Sequence, residues 1–188
     1  QCAWVHKDKA VATEKAIKIT RGAVRRAQGD ESLTPIGVPV TRKAMVIGGG
    51  IAGIQASLDM ANAGLDVILV EKLPTIGGHM IQLSETFPTL DCSQCILSPK
   101  MVEVSKNPKI TLMTDTEVQG ISGFVGNFKV KLRTKAQYVD PELCKICDDC
   151  SQVCPTVTAN EYDLGLTGRR AIFMPFAQAI PATYTLDE

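Results

Sequence analysis

No stretch of this sequence approaches the roughly 18 consecutive apolar residues that a membrane-spanning helix requires. Residues 1–15 carry Lys7, Lys9, Glu14 and Lys15 where a signal peptide would place an apolar core. The expectation is a protein without a membrane anchor that works in the cytoplasm. Charge excess is missing too: Lys+Arg 20 cancels Asp+Glu 20, so nothing in the balance points to nucleic acid or a membrane surface. There is no internal repeat, no low-complexity tract, and no residue that stands out as a general acid, base or nucleophile. The first residue is Gln1 rather than Met, so the reading expects sequence upstream of it.

What is present is a chain of 188 residues, 45% hydrophobic and 21% charged, enough for one globular domain with a small appendage. Residues 8–28 repeat Ala10, Ile17 and Val24 two helical turns apart between charged positions, which predicts an amphipathic helix. Residues 32–42 hold two prolines and a glycine without periodicity and read as an extended linker. From Lys43 the pattern becomes a short strand (Ala44 to Ile47), a glycine turn, a helix over about 51–63, a stop at Gly64 and a second strand, Asp66 to Val70. That is a βαβ unit. Residues 110–134 predict short strands in a hairpin or small meander, with Phe128, Val130 and Leu132 alternating with Lys129, Lys131 and Arg133. The expected fold class is α/β, organised as an N-terminal helical segment (1–34), a nucleotide-binding domain (35–136) and a small cysteine-bearing module (137–188).

Gly48-Gly49-Gly50-Ile51-Ala52-Gly53 follows a predicted strand and opens a predicted helix. Glu71 ends the next strand about 20 residues on, the interval of a dinucleotide-binding fingerprint. In such a turn the first glycine permits the bend and the third, Gly50, lets the backbone approach a pyrophosphate. Gly53 lets the helix pack closely on the strand, and the helix amino terminus favours the anion. Glu71 is placed to accept ribose hydroxyls. Lys72 to His79 continue as K-L-P-T-I-G-G-H, and the pair Gly77-Gly78 resembles the extension of two-dinucleotide-fold flavoproteins, which favours FAD over NAD. For His79 a packing role stays open beside a cofactor contact.

Of seven cysteines, four sit in Cys144-x2-Cys147-x2-Cys150-x3-Cys154-Pro155, the bacterial ferredoxin spacing, which predicts [4Fe-4S] ligation. The first three thiolates would share one cluster, and Cys154 would serve a second whose other ligands lie elsewhere. A structural zinc site is the alternative. Cys92 and Cys95 form a further C-x2-C pair that could ligate a cluster, act as a redox dithiol, or be simply buried. Cys2 stands alone, a ligand only if further cysteines precede it.

These residues together resemble the heterodisulfide reductase family, on the side of its flavin- and cluster-bearing A-subunits. The likeness runs through Cys2-Ala-Trp4-Val-His6, VIGGGIAGIQASLDMANAGLDVILVEK, PTIGGHM, FPTLDCSQCILSPKMVEV, VGNFKV, the cysteine run, and Asn160-Glu161-Tyr162 to Pro175-Phe176. It implies a Rossmann-like, thioredoxin-reductase-like FAD domain interrupted by a ferredoxin-like iron-sulfur insertion, with further clusters before and after, one of them served by Cys2. It also implies an oxidoreductase component whose FAD bifurcates electron pairs between disulfide-reducing partner subunits and ferredoxin, fed by a hydrogenase or another electron donor. The family continues past Glu188, so both sites are expected to be incomplete here. An NAD(P)H-coupled iron-sulfur flavoprotein would need a second glycine fingerprint, and this chain has none; a non-catalytic ferredoxin-like or zinc-binding adaptor is the reading from another class.

Overall fold

A computed structural model describes residues Gln1 to Asp187; Glu188, the last residue of the expected cysteine-bearing module, lies outside the described residues. Two compact units divide between Val38 and Pro39. The first holds helix α1 (Lys9–Gln28), matching the predicted amphipathic helix. The Asp8 carboxylate starts it by accepting the Ala10 N–H at 2.8 Å. Ile17 and Val24, on its apolar face, are about half exposed.

In the second unit, strand β1 (Lys43–Ile47), helix α2 (Ile51–Asn62) and strand β2 (Asp66–Val70) form the predicted βαβ unit, with β1 and β2 parallel. Helix α2 stops where expected: Gly64 takes a positive φ of 92°, and the Leu65 N–H returns to the Met60 carbonyl at 3.1 Å. After β2 the chain makes a 3-10 turn (Gly78–Gln82) and a two-residue strand pair, β3 (Glu85–Thr86) with β4 (Asp91–Cys92). Helix α3 (Ser93–Lys106) follows, and strand β5 (Ile110–Met113) then pairs parallel to β2. The resulting order β1-β2-β5 puts β2 in the centre. That position explains its unbroken apolar run, since a central parallel strand is covered on both faces.

Two expectations are corrected here. The stretch Ile110 to Met113 belongs to the parallel sheet and not to a meander; only β6 (Thr116–Phe124) and β7 (Asn127–Thr134) form the hairpin, with a register shift between Val118 and Gly120. Helix α3 went unpredicted, although Ser93, Leu97, Met101 and Val104 recur at helical spacing and are all buried. Pro99 masks the signal: it sits on the exposed face, and its cost to the helix is outweighed by the burial of the opposite face. The core joins α2 (Ile54, Leu58, Ala61), the sheet (Val67, Leu69, Ile110), Ile76, and α3 (Leu97, Met101, Val104).

The remaining chain carries short elements: α4 (Asp149–Val153), the hairpin β8 (Val157–Ala159) with β9 (Gly168–Arg170), and β10 (Ile172–Phe173) paired with β11 (Thr185–Leu186). Between the last two strands the chain returns to the core, where Phe176 and Ile180 pack. Ile180 accepts the Ile76 N–H at 3.1 Å and donates its own N–H to the Thr75 hydroxyl at 2.9 Å.

At the β1–α2 turn, a Cβ on Gly53 would lie 1.9 Å from the Gly48 carbonyl oxygen, a contact that neither backbone can relieve without moving. Gly53→Ala should therefore open the turn and lower the chemical-denaturation midpoint, whereas Gly22→Ala, in open space on α1, should raise helix stability by roughly 0.5–1 kcal/mol. Leu97→Ala, which hollows the core beneath α3, should cost about 2–5 kcal/mol in equilibrium unfolding. A loss below about 0.5 kcal/mol, the size of an ordinary surface change, would contradict this packing.

Candidate nucleotide and iron-sulfur sites

The turn after β1 is held from three sides. The Gly48 N–H donates to the Val70 carbonyl at 2.8 Å, and the Gly77 N–H donates to the Gly49 carbonyl at 2.7 Å. The Glu71 carboxylate accepts the Gly49 N–H at 2.6 Å through Oε2 and the Leu73 N–H at 2.9 Å through Oε1. Glu71 is only 7% exposed, and these bonds offset the desolvation of its charge. A carboxylate has about four acceptor positions, so the two bonds leave capacity for ribose hydroxyls.

Gly49 and Gly53 are crowded by protein: a Cβ on Gly49 would lie 2.6 Å from Ile76 Cγ2. Gly50 is different. Its φ is −73°, a value open to any residue, and no atom lies within 4 Å of where its Cβ would be. The fold alone gives no reason for glycine there, while a group approaching the backbone does. Gly50 also caps α2 without any side-chain hydrogen bond, and no acidic residue occupies the first turn, which begins Ile51-Ala52-Gly53. An anion placed there would meet the positive end of a 12-residue helix. Gly77 and Gly78 run beside this turn: Gly50 and Gly77 form a parallel β-bridge, and a Cβ on Gly78 would come within 3.0 Å of Gly50 Cα. Lys72 and His79 are exposed nearby in sequence, and His79 Nδ1 lies 3.3 Å from Gln82 Oε1. The fit to a dinucleotide is good.

Cys144 and Cys147 lie on the loop into α4, Cys150 lies within that helix and Cys154 caps its C-terminus. Ile146 and Asp148, on either side of Cys147, both take left-handed φ values, 55° and 66°. Such alternating backbone is the kind that turns successive N–H groups toward an anion. Backbone N–H donation from Tyr184, then from Ile146, holds the Cys144 thiol below the ordinary cysteine value. Cys154 is lowered in the same way, chiefly by the Ile172 and Thr156 backbone. Tyr184 donates its hydroxyl to Asp148 Oδ1 at 2.5 Å, and burial followed by this bond raises its own ionisation well above the usual range. As donors, thiols biased toward thiolate suit an iron-sulfur cluster. Cys144, Cys150 and Cys154 are half-buried and Cys147 exposed; among the described residues no three Cys, His, Asp or Glu side chains converge into a metal-binding group.

Cys92 and Cys95 are both exposed, which removes the reading of simply buried thiols. Cys92 caps α3, its sulfur accepting the Cys95 N–H at 3.3 Å, and the two Sγ atoms are 2.6 Å apart. The shared thiol hydrogen bond lowers Cys92 and raises Cys95. Cys2 lies in the first unit, where its carbonyl accepts the His6 N–H at 3.1 Å.

The residues downstream of the cysteine run also touch the glycine extension, a contact that no sequence pattern announces. Tyr162 donates its hydroxyl to the Ile81 carbonyl at 2.6 Å, and Gln82 Nε2 donates to the Tyr162 carbonyl at 3.0 Å. Long-range bonds between an exposed tyrosine and a loop carbonyl leave no periodic mark in a sequence.

Residues 44–161 match the family described as FAD dependent oxidoreductase. The second of the CoB--CoM heterodisulfide reductase iron-sulfur A-subunits of Methanopyrus kandleri is 55% identical over 98% of this chain and 28% of its own length. The A-subunit of the H(2):CoB-CoM heterodisulfide,ferredoxin reductase of Methanothermobacter marburgensis is 50% identical, again over 98% of this chain and 28% of that protein. Among solved structures, the thioredoxin reductase of T. acidophilum covers 50% of this chain with 18% identity and a TM-score of 0.42. The chain thus spans under a third of the length of these curated relatives. With more than half of its residues inside the family match, and with the strand, glycine turn and buried acid in place, the chain belongs to the FAD dependent oxidoreductase family.

Proposed function

We propose that this chain is the flavin- and cluster-bearing part of an electron-transfer component in a heterodisulfide reductase-like complex. The observation that carries the flavin site is Gly50, with open space where a Cβ would lie at an uncapped helix terminus, while its neighbours Gly49 and Gly53 are closed by protein. In this reading the pyrophosphate of FAD lies over Gly48 to Gly50, accepting N–H bonds from the turn and the first helical residues Ile51, Ala52 and Gly53. Glu71 orients the ribose. Gly77 and Gly78 give the nucleotide room on its other side, and Lys72 and His79 border it. Bound FAD supplies two-electron acceptance with onward delivery of single electrons.

Cys144, Cys147 and Cys150 would bind one [4Fe-4S] cluster and Cys154 another, each completed by ligands outside this chain, as Cys2 would be. Metal binding orders its own ligand loop, so the gathering of these sulfurs is expected to accompany cluster insertion. The segments 1–34, 35–136 and 137–188 would act as helical arm, FAD-binding part and ferredoxin-like insertion. The whole assembly would bifurcate electrons between disulfide-reducing subunits and ferredoxin, drawing on a hydrogenase or other donor. The names of the relatives, which include heterodisulfide and ferredoxin, support that choice of partners. The working place would be the cytoplasm, where unpaired thiols persist; among the described residues no helix is long and apolar enough to cross a membrane.

Gly50→Val, made in the full-length protein, fills only the space assigned to the nucleotide. It should weaken flavin binding at least about tenfold, the effect of some 1.4 kcal/mol, and so lower the flavin-to-protein ratio, while circular dichroism and iron content hold. Flavin retained at the wild-type ratio would contradict the site. Cys147→Ser should do the reverse, reducing iron and inorganic sulfide with flavin unchanged.

A further inference from the structure

Neither proposed cofactor site uses Cys92 and Cys95. Their geometry is nevertheless tightly defined. Strand β4 fixes Cys92 from one side by pairing it with Glu85, and the first turn of α3 places Cys95 over it, with the Sγ atoms 2.6 Å apart. Both sulfurs are exposed, and among the described residues no third ligand completes a metal-binding group around them. Closing the gap to the roughly 2.0 Å of a disulfide bond needs only a small side-chain movement. The pair is also asymmetric: the Cys92 sulfur receives the Cys95 N–H at the helix terminus, which favours its thiolate, while Cys95 keeps its proton.

We propose that Cys92 and Cys95 form a reversible dithiol–disulfide couple that exchanges with small disulfides reaching it from solvent. The Cys92 thiolate attacks one sulfur of R–S–S–R, forming a Cys92–S–S–R bond and releasing RS⁻. Cys95 then gives up its proton to that thiolate and attacks Cys92 Sγ, forming the Cys92–Cys95 bond and releasing the second RS⁻. Two electrons pass from the protein dithiol to the substrate disulfide, and an external dithiol reverses the sequence. This inference does not depend on the flavin or cluster assignments, because its readout is the state of two thiols.

The test uses the full-length holoprotein, prepared anaerobically and equilibrated in buffers of reduced and oxidised dithiothreitol. Samples are then acid-quenched, alkylated and mapped by peptide mass spectrometry. Cys92 and Cys95 should lose alkylation together as the buffer becomes oxidising, the peptide lighter by two hydrogens. With oxidised glutathione as probe, Cys95→Ser should accumulate a glutathionyl adduct on Cys92, and Cys92→Ser should build the corresponding adduct on Cys95 far more slowly. Iron, sulfide and flavin contents should be unchanged in both variants. The proposal is overturned if both cysteines remain alkylatable in every buffer. It is equally overturned if Cys92→Ser lowers iron and sulfide, which would make the pair cluster ligands.

Discussion

The bond from the Gly49 N–H to the buried Glu71 carboxylate, 2.6 Å long, is the contact on which the rest of the candidate site depends. It joins the turn that leaves β1 to the end of β2, and so fixes where α2 begins. The same carboxylate accepts the Leu73 N–H and sets the direction of the chain leaving β2. That direction brings Gly77 beside Gly49 and Gly78 beside Gly50. A buried charge is tolerated only when it is well bonded, so this acid has little freedom to sit elsewhere. Two loops far apart in sequence thereby become the two sides of one cradle.

The segment that carries the cysteines is tied to that cradle by its downstream residues. Ile180 bonds Thr75 and Ile76, just before the paired glycines, and Tyr162 bonds Ile81, just after them. Tyr184 meanwhile supplies its N–H to the Cys144 sulfur and its hydroxyl to Asp148 within the run. The loop flanking the nucleotide and the loop bearing the thiols are thus positioned by a shared stretch of chain, from about 160 to 187. The proposed electron relay would depend on this, because a flavin and a cluster exchange electrons only when held close.

Much of the cradle is legible in the sequence. Strand, turn and helix at 43–64 follow local rules, and glycine spacing with an acid about 20 residues on is a pattern with a steric cause. The second role of Glu71, as the clasp of Gly49, is not legible, since nothing local marks a side chain that reaches back across the sheet. Ile110 to Met113 read correctly as a strand, but periodicity does not say which strand it pairs with, and the parallel pairing with β2 follows from α3, the crossover helix that returns the chain beside β2. That helix is hidden by Pro99, whose local cost is outweighed by the burial of Leu97, Met101 and Val104. The cysteine spacing is plain in the sequence, whereas among the described residues the thiols do not converge into a metal-binding group, an arrangement that spacing alone does not position. Cys92 and Cys95 are visible as a pair; their exposure and mutual contact required the fold.

Cofactor content decides whether one protein joins a flavin to iron-sulfur chemistry through these two loops. The full-length protein should be purified without oxygen and assayed for flavin, iron, inorganic sulfide and zinc. FAD is expected in stoichiometric amount, with iron and sulfide in equal quantity as [4Fe-4S] clusters require. Zinc in place of iron, with no flavin, would contradict it.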